Sequence, residues 1–223
     1  MTDLTHWTAR NLPSAEPIEG RGVSVEPMVD EARFGELFAA FEGNDRLWDY
    51  LAYGPFETPD AFARFGHSTY LGNDPLFHAI VPHGSGVAEG VAALMRLDPA
   101  NGVGEIGHIC LAPSLQMTRA ATEAFYLLFR RLFDELGYRR LEWKCNDANA
   151  PSKRAAERLG FRYEGLFRQH MVVKGHNRDT AWYAILDGEW PMVRAGFERW
   201  LEEANFGTDG RQRRSLADCR TRP

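Results

Sequence analysis

Residues 103–145, VGEIGHICLAPSLQMTRAATEAFYLLFRRLFDELGYRRLEWKC, read as a strand, a tight turn, a long amphipathic helix and a second strand. Val103 to Leu111 is β-prone, and Pro113 and Ser114 end it. Ala121, Ala124, Phe125, Leu128, Phe129, Leu132, Phe133 and Leu136 then recur at steps of three and four, the strongest periodicity in the chain. Gly137 stops that helix from the usual C-terminal glycine position, and Tyr138 to Cys145 alternates as the next strand. A strand-helix-strand unit of this kind belongs to an α/β fold.

Outward from this unit the pattern stays consistent. Upstream, Leu76 to Val81 and Val87 to Leu97 are two strands joined by the turn-rich Pro82-His83-Gly84-Ser85-Gly86, so Val103 to Leu111 completes a meander. Phe34, Leu37, Phe38 and Phe41 mark an early helix, Leu47, Trp48 and Leu51 a brief restart, and Thr58-Pro59 opens another through Phe62, Phe65 and Tyr70. Arg21 to Met28 is a plausible first strand. Downstream, a short helix runs from Pro151 to Leu159 and ends at Gly160. Phe161 to Lys174 and Thr180 to Leu186 form a hairpin across the turn Gly175 to Asp179, and Val193, Phe197, Trp200, Leu201 and Ala204 mark a last helix. Residues 1–20 read as an irregular lead-in and 21–206 as one domain. Residues 207–223, with five Arg, two Asp and almost no large apolar side chains, read as a disordered basic tail.

Composition narrows the function. The 223 residues are 44% hydrophobic with 14 Phe, enough for a folded core, and the net charge of −5 lacks the basic face that nucleic-acid binding requires. The three cysteines show neither disulfide nor metal-ligand spacing, which fits reduced thiols in a cytoplasm and no metal. The first twenty residues lack a signal peptide's basic start and apolar run, and nothing approaches the ~18 apolar residues of a membrane helix.

The turn Gln116-Met117-Thr118-Arg119-Ala120-Ala121 lies where the long helix begins, so unpaired backbone N–H groups and the helix dipole converge there on a candidate anion site. Its plainer reading is a solvated helix start. The turn also resembles the phosphate turn of the GNAT superfamily of acyl-CoA-dependent N-acyltransferases, Gln/Arg-x-x-Gly-x-Gly/Ala: Gln116 and Ala121 match, and Arg119 stands where glycine is usual. Asn149-Ala150-Pro151-Ser152, then Arg154, Glu157, Arg158, Leu159, Gly160 and Phe161, resemble that superfamily's Asn-x-x-Ser to Gly-Phe segment. Glu164-Gly165, Arg168 and Asn177-Arg178-Asp179 are most similar to its RimJ/RimL branch, so the resemblance covers roughly residues 20–190.

The resemblance implies a mixed, mostly antiparallel central sheet with helices on both faces, splayed between the strands at 103–111 and 138–145. It implies acetyl-CoA as co-substrate, its diphosphate on residues 116–121 and its pantetheine near Asn149 and Ser152, with Arg119 able to donate to a phosphate. It also implies acetyl transfer to a primary amine, of a peptide N-terminus or a small molecule, by direct attack on the thioester; an oligomer is compatible with the sequence, which does not fix the oligomeric state. That reaction needs a base, an oxyanion donor and an acid. Glu105 and His108 are the base candidates. Strand alternation sets Glu105 with Gly107, Ile109 and Leu111 on one face, and His108 with Ile106 and Cys110 on the other, so only one of them faces the cleft.

Ser152 is the implied acid, or else a helix-start cap; Asn149 holds pantetheine amides or closes an Asx turn; Tyr163 is a weaker acid candidate. Trp143, Phe161 and Tyr183 read as core. Glu164 and Asp179 read as partners of neighbouring arginines such as Arg168 and Arg178. A non-catalytic acyl-CoA-binding module and an unrelated α/β scaffold are the competing readings. Acidic residues in the early helices suggest only that the acceptor is a cationic amine.

Overall fold

A computed structural model describes residues 3–221. Eight strands form one sheet: β1 (Ile18–Glu19), β2 (Val23–Pro27), β3 (Leu76–Pro82), β4 (Gly90–Asp98), β5 (Val103–Leu111), β6 (Arg140–Asn146), β7 (Arg162–Val173) and β8 (His176–Leu186), in the order β1-β2-β3-β4-β5-β6-β8-β7. All neighbours are antiparallel except β5 and β6. That pair must be parallel because a helix carries the chain back across the sheet between them.

Helices cover both faces. On one lie α1 (Phe34–Phe41) and α2 (Pro59–Thr69), the latter capped by Thr58 with proline in its first turn. Their Phe34, Leu37, Phe38, Phe41 and Phe62 pack with Trp48 onto Phe77, Ala79, Val91, Ala93 and Cys110 of the sheet. The expected restart at Leu47 is a single 3-10 turn, Asp45–Trp48. The opposite face carries α3 (Arg119–Arg130), α4 (Ala150–Leu159) and α5 (Trp190–Leu201). There Phe125, Leu128, Phe129 and Phe197 pack onto Leu94, Ile106, Leu141, Trp143 and Ile185. The long periodic helix starts at Arg119, since 113–118 is turn, and it ends in a wider π-type segment, Arg131–Glu135, before Gly137 at φ +68°.

Two expectations give way here. The β7–β8 turn is Lys174-Gly175, both at positive φ (+50° and +77°), with Val173 paired to His176; Asn177, Arg178 and Asp179 therefore belong to β8 and not to a turn. Two residues in the left-handed region match the twist of a tight hairpin, which needs no longer loop. The tail is also built: α6 (Leu216–Arg220) starts with a reciprocal capping box between Ser215 and Asp218 and buries Leu216 and Cys219. Two apolar residues three apart suffice to seat a short helix, and Arg220 adds a bond to the Arg158 carbonyl at 2.6 Å. Low apolar content concealed that face.

Candidate functional site

The decisive irregularity is in β5. Val91 of β4 faces Cys110 but Ala93 faces Gly107, so β5 holds one extra residue at this point, and His108 there has φ +51°. A bulge cancels alternation locally. Ile106 and Ile109 pack toward α3, whereas Cys110 and the His108 ring lie toward α1 and α2, where His108 stacks on Tyr53 (5.6 Å, 15°) and Phe77. Glu105, next to Ile106 in the regular part of the strand, points to the His108 side as well. The expectation that Glu105 and His108 point opposite ways is therefore corrected: the bulge brings both to one face.

On that face Glu105 is almost wholly buried. Its Oε2 lies 2.8 Å from Lys144 Nζ and 2.7 Å from an Arg96 nitrogen. Its Oε1 faces the bare Cα of Gly107, where a Cβ would stand 3.4 Å away. Lys144 also bonds Glu142 at 2.7 Å and sits 3.9 Å above the Trp182 ring. The Tyr53 hydroxyl lies 3.1 Å from His108 Nδ1. Burial pushes the His108 imidazole below its ordinary value, with Glu105 acting the other way.

Strands β5 and β6 pair only from Val103–Arg140 to Ile106–Trp143. Beyond this point they part, and the main chain of Gly107–Leu111 and Lys144–Asn146 borders an open wedge. At its wide end stand the turn before α3 and the start of α4. The Gln116 amide group donates to the Leu111 carbonyl at 2.8 Å, tying the turn to the strand. Met117 is fully exposed at φ +61°. Thr118 caps α3 through the Ala121 N–H at 3.1 Å, and among the described residues the Arg119 and Ala120 N–H groups have no acceptor at the helix start.

The Arg119 side chain does not reach this opening. It donates to the Leu201 carbonyl, pairs with Glu203 at 3.2 Å and stacks on Phe206, so it caps α5 instead of waiting for a phosphate. Arg119 lies in ordinary helical backbone, which is why glycine is dispensable there for conformation. Across the wedge, Asn149 is the α4 cap, its Oδ1 accepting the Ser152 N–H at 3.1 Å. Ser152 is thus not the cap. Its Oγ accepts the Trp143 indole N–H at 3.0 Å, and its hydroxyl proton faces the Cys145 sulfur, the acceptor that a departing thiolate would replace. Tyr163 is exposed on β7, with its ring against Tyr183. Trp143, Phe161 and Tyr183 are buried, as read.

Glu164 and Asp179 do have arginines as neighbours, Arg140 for the first and Arg168, more weakly, for the second, but not Arg178. Glu164 binds Arg140, and Asp179 accepts the Gln169 N–H at 2.7 Å. Both leave Arg178 alone, because β8 turns it onto the opposite face from its neighbour in sequence. Lys144, Arg96, Tyr53 and Trp182 were absent from the sequence reading. The alternation Leu141-Glu142-Trp143-Lys144-Cys145 did contain the signal for Lys144: two charged residues sharing one face of a strand that is apolar on the other.

The fold thus carries a parted parallel strand pair, a bulged strand bearing a carboxylate and an imidazole, and the amides of a helix start. Residues 25–162 match the family model of the acetyltransferase (GNAT) domain, and the chain belongs to this family of enzymes, which take acetyl-CoA as co-substrate. The solved structure of a GCN5-related N-acetyltransferase from Brucella melitensis is 46% identical with a TM-score of 0.95, over 97% of this chain and 99% of that one. A Chromobacterium violaceum ATCC 12472 structure assigned to the GNAT family is 41% identical with a TM-score of 0.81, over 86% and 96%. YdaF of Bacillus subtilis (strain 168), named provisionally as a ribosomal N-acetyltransferase, is 32% identical over 45% of this chain and 55% of YdaF. The chain spans about half the length of the curated relatives it matches. Among the described residues no helix is long and apolar enough to cross a membrane, and no group of three or more His, Cys, Asp or Glu is placed to hold a metal ion.

Proposed function

We propose that the protein moves an acetyl group from acetyl-CoA to a primary amine, on a peptide N-terminus or a small molecule, by direct attack on the thioester in the wedge between β5 and β6. The observation that carries this reading is the β5 bulge, which sets two proton acceptors on the face from which an amine can enter. Acetyl-CoA supplies an activated acyl group when bound. The chain's own groups do the rest: Arg119 and Ala120 amides hold negative charge at the start of α3, and open main-chain groups of β5 and β6 offer hydrogen bonds along the gap. Glu105 Oε1 or the neutral His108 ring takes the proton the amine sheds, and the Ser152 hydroxyl gives one to the departing sulfur.

Asn149 supports this arrangement by fixing the start of α4 through the Ser152 N–H. Gln116, Met117 and Thr118 shape the turn that carries the free amides, and Ala121 closes the cap. Three unpaired cysteines and a CoA thioester suit a reducing cytoplasm. Calorimetry with coenzyme A tests the binding half. Ala120→Asp puts a carboxylate beside the free amides and is expected to weaken affinity at least tenfold, less so at high salt. An unchanged affinity in the folded variant rejects the phosphate assignment. Thiol release that requires an amine tests the transfer half.

A further inference from the structure

The acceptor face carries an unmatched cation. Arg96, Arg140 and Lys144 are offset by Glu105, Glu142 and Glu164 in a continuous set of ion pairs across β4, β5, β6 and β7. Arg178 stands outside it. The residue lies within β8 opposite Met171, on the face shared by Thr180 and Trp182, and its side chain is half-buried. Its Nε donates to Thr180 Oγ1 at 3.2 Å, and among the described residues no carboxylate pairs with its guanidinium. Thr180, itself buried, also holds His170 Nδ1 at 3.0 Å, so one hydroxyl orients both groups.

The position matters as much as the charge. Arg178 acts electrostatically on His108 and on Cys145, which belong to the two strands bordering the wedge. The nearby cation Lys174 is already committed to the Trp48 carbonyl at 2.8 Å. The Trp48–Tyr53 segment is thus tied to the β7–β8 hairpin by this bond, and to the loop between β6 and α4 by the Tyr50 hydroxyl, which donates to the Ala148 carbonyl at 3.1 Å. A half-buried guanidinium has lost hydration that one hydrogen bond to Thr180 and the more distant Glu105 charge, itself held by Lys144 and Arg96, replace only in part. Its two terminal nitrogens form a planar fork suited to a carboxylate or a phosphate.

Resting on the acetyl-transfer reading above, we propose that Arg178 binds an anionic group of the acceptor, so that the amine acetylated belongs to a molecule that also carries a carboxylate or phosphate. The bound anion supplies the missing counter-charge and orients the amine toward Glu105 and His108. The acceptor is then zwitterionic or acidic, more than the cationic amine that the acidic early helices suggested.

The test uses thiol release from acetyl-CoA with amines matched in skeleton: a set of amino acids and dipeptides against their amides, and a phosphorylated amino alcohol against its parent. The wild type is expected to favour the anionic member in kcat/KM by on the order of 10- to 100-fold, and the better arm says which anion is read. Arg178→Gln is expected to bring that ratio near one through acceptor KM, with Arg178→Lys intermediate. No preference in the wild type, or equal losses for both members in Arg178→Gln, overturns the proposal. Calorimetry with the N-acetylated carboxylate and its amide reads the same preference without turnover, and equal affinity for the two also overturns it. Failure to acetylate any amine, with that binding preference intact, counts instead against the transfer reading.

Discussion

Glu105 and Lys144 form an ion pair of 2.8 Å between β5 and β6, with side chains only 4% and 7% exposed, at the place where the two strands stop pairing. The pair closes the narrow end of the wedge. It lies diagonally across the last rungs of the ladder, since Glu105 faces Glu142 and Ile106 faces Trp143. Below it the strands are paired, and above it they part.

Lys144→Met is expected to destabilise the protein by about 2 kcal/mol, because it removes the ammonium that two largely buried carboxylates share and leaves Glu105 to Arg96 and Glu142 to Arg140. Arg96 stays on Glu105 and keeps the loss from growing further. Denaturant midpoints measure it, and the double variant Glu105→Gln/Lys144→Met is expected to recover part of the loss. Equal stability of Lys144→Met and wild type refutes the structural role of the pair.

The base is identified by pH–rate profiles of Glu105→Gln and His108→Gln. Burial pushes His108 down, so its neutral, proton-accepting form persists below the ~6.5 of a free imidazole. If His108 is the base, the acidic limb of kcat/KM falls below about pH 6.5 and disappears in His108→Gln. If Glu105 is, the limb disappears in Glu105→Gln. Retention of the limb in both variants rejects both residues.

Ser152→Ala is expected to lower turnover by about 10²- to 10³-fold with coenzyme A affinity nearly unchanged, the signature of a lost acid. Trp143→Phe removes the indole N–H that orients the hydroxyl and should produce a smaller loss of the same kind. Asn149→Ala is the contrasting case: as the actual cap of α4 it should cost about 1 kcal/mol of stability. Melting temperature and turnover on each preparation separate these effects.

His78, on β3, is buried with Nδ1 unpartnered among the described residues, and burial together with Arg131 pushes it down to about 4. An unfolded histidine titrates near ~6.5, so between these values the unfolded chain holds a proton that the folded chain refuses. Stability is complete above about pH 6.5 and falls as pH drops toward 4, by up to about 3 kcal/mol. His108 contributes with the same sign. Unfolding free energies of wild type and His78→Met at pH 7 and pH 5 check this: the variant should lose clearly less than the wild type.

Much of the fold was legible because its signals are local. The α3 periodicity, the Thr58-Pro59 start, Gly137 and Gly160 each fix an element by backbone and packing rules that need only neighbouring residues. The site was less legible where pairing decides. Nothing in VGEIGHICL announces that β4 lacks a residue opposite His108, so counting faces from one strand put Glu105 and His108 apart. The partners of Arg119 and Arg178 lie far away or in the wrong direction along the chain: Arg119 meets Leu201 and Phe206, and Arg178 turns from the adjacent Asp179. The tail failed for a related reason, since Leu216 and Cys219 become a packing face only once α5 is there to receive them.

The parting of β5 and β6 divides the labour of recognition between two kinds of atom. Along the gap the contacts on offer are main-chain groups, which every residue except proline possesses in full, so substitutions there can change side chains while leaving the donor's slot usable. On the Arg178 face the contacts are side chains, and a single codon change rewrites them. On the proposed reading, the donor preference is expected to withstand substitutions that change the acceptor preference, so that mutation alters the two independently.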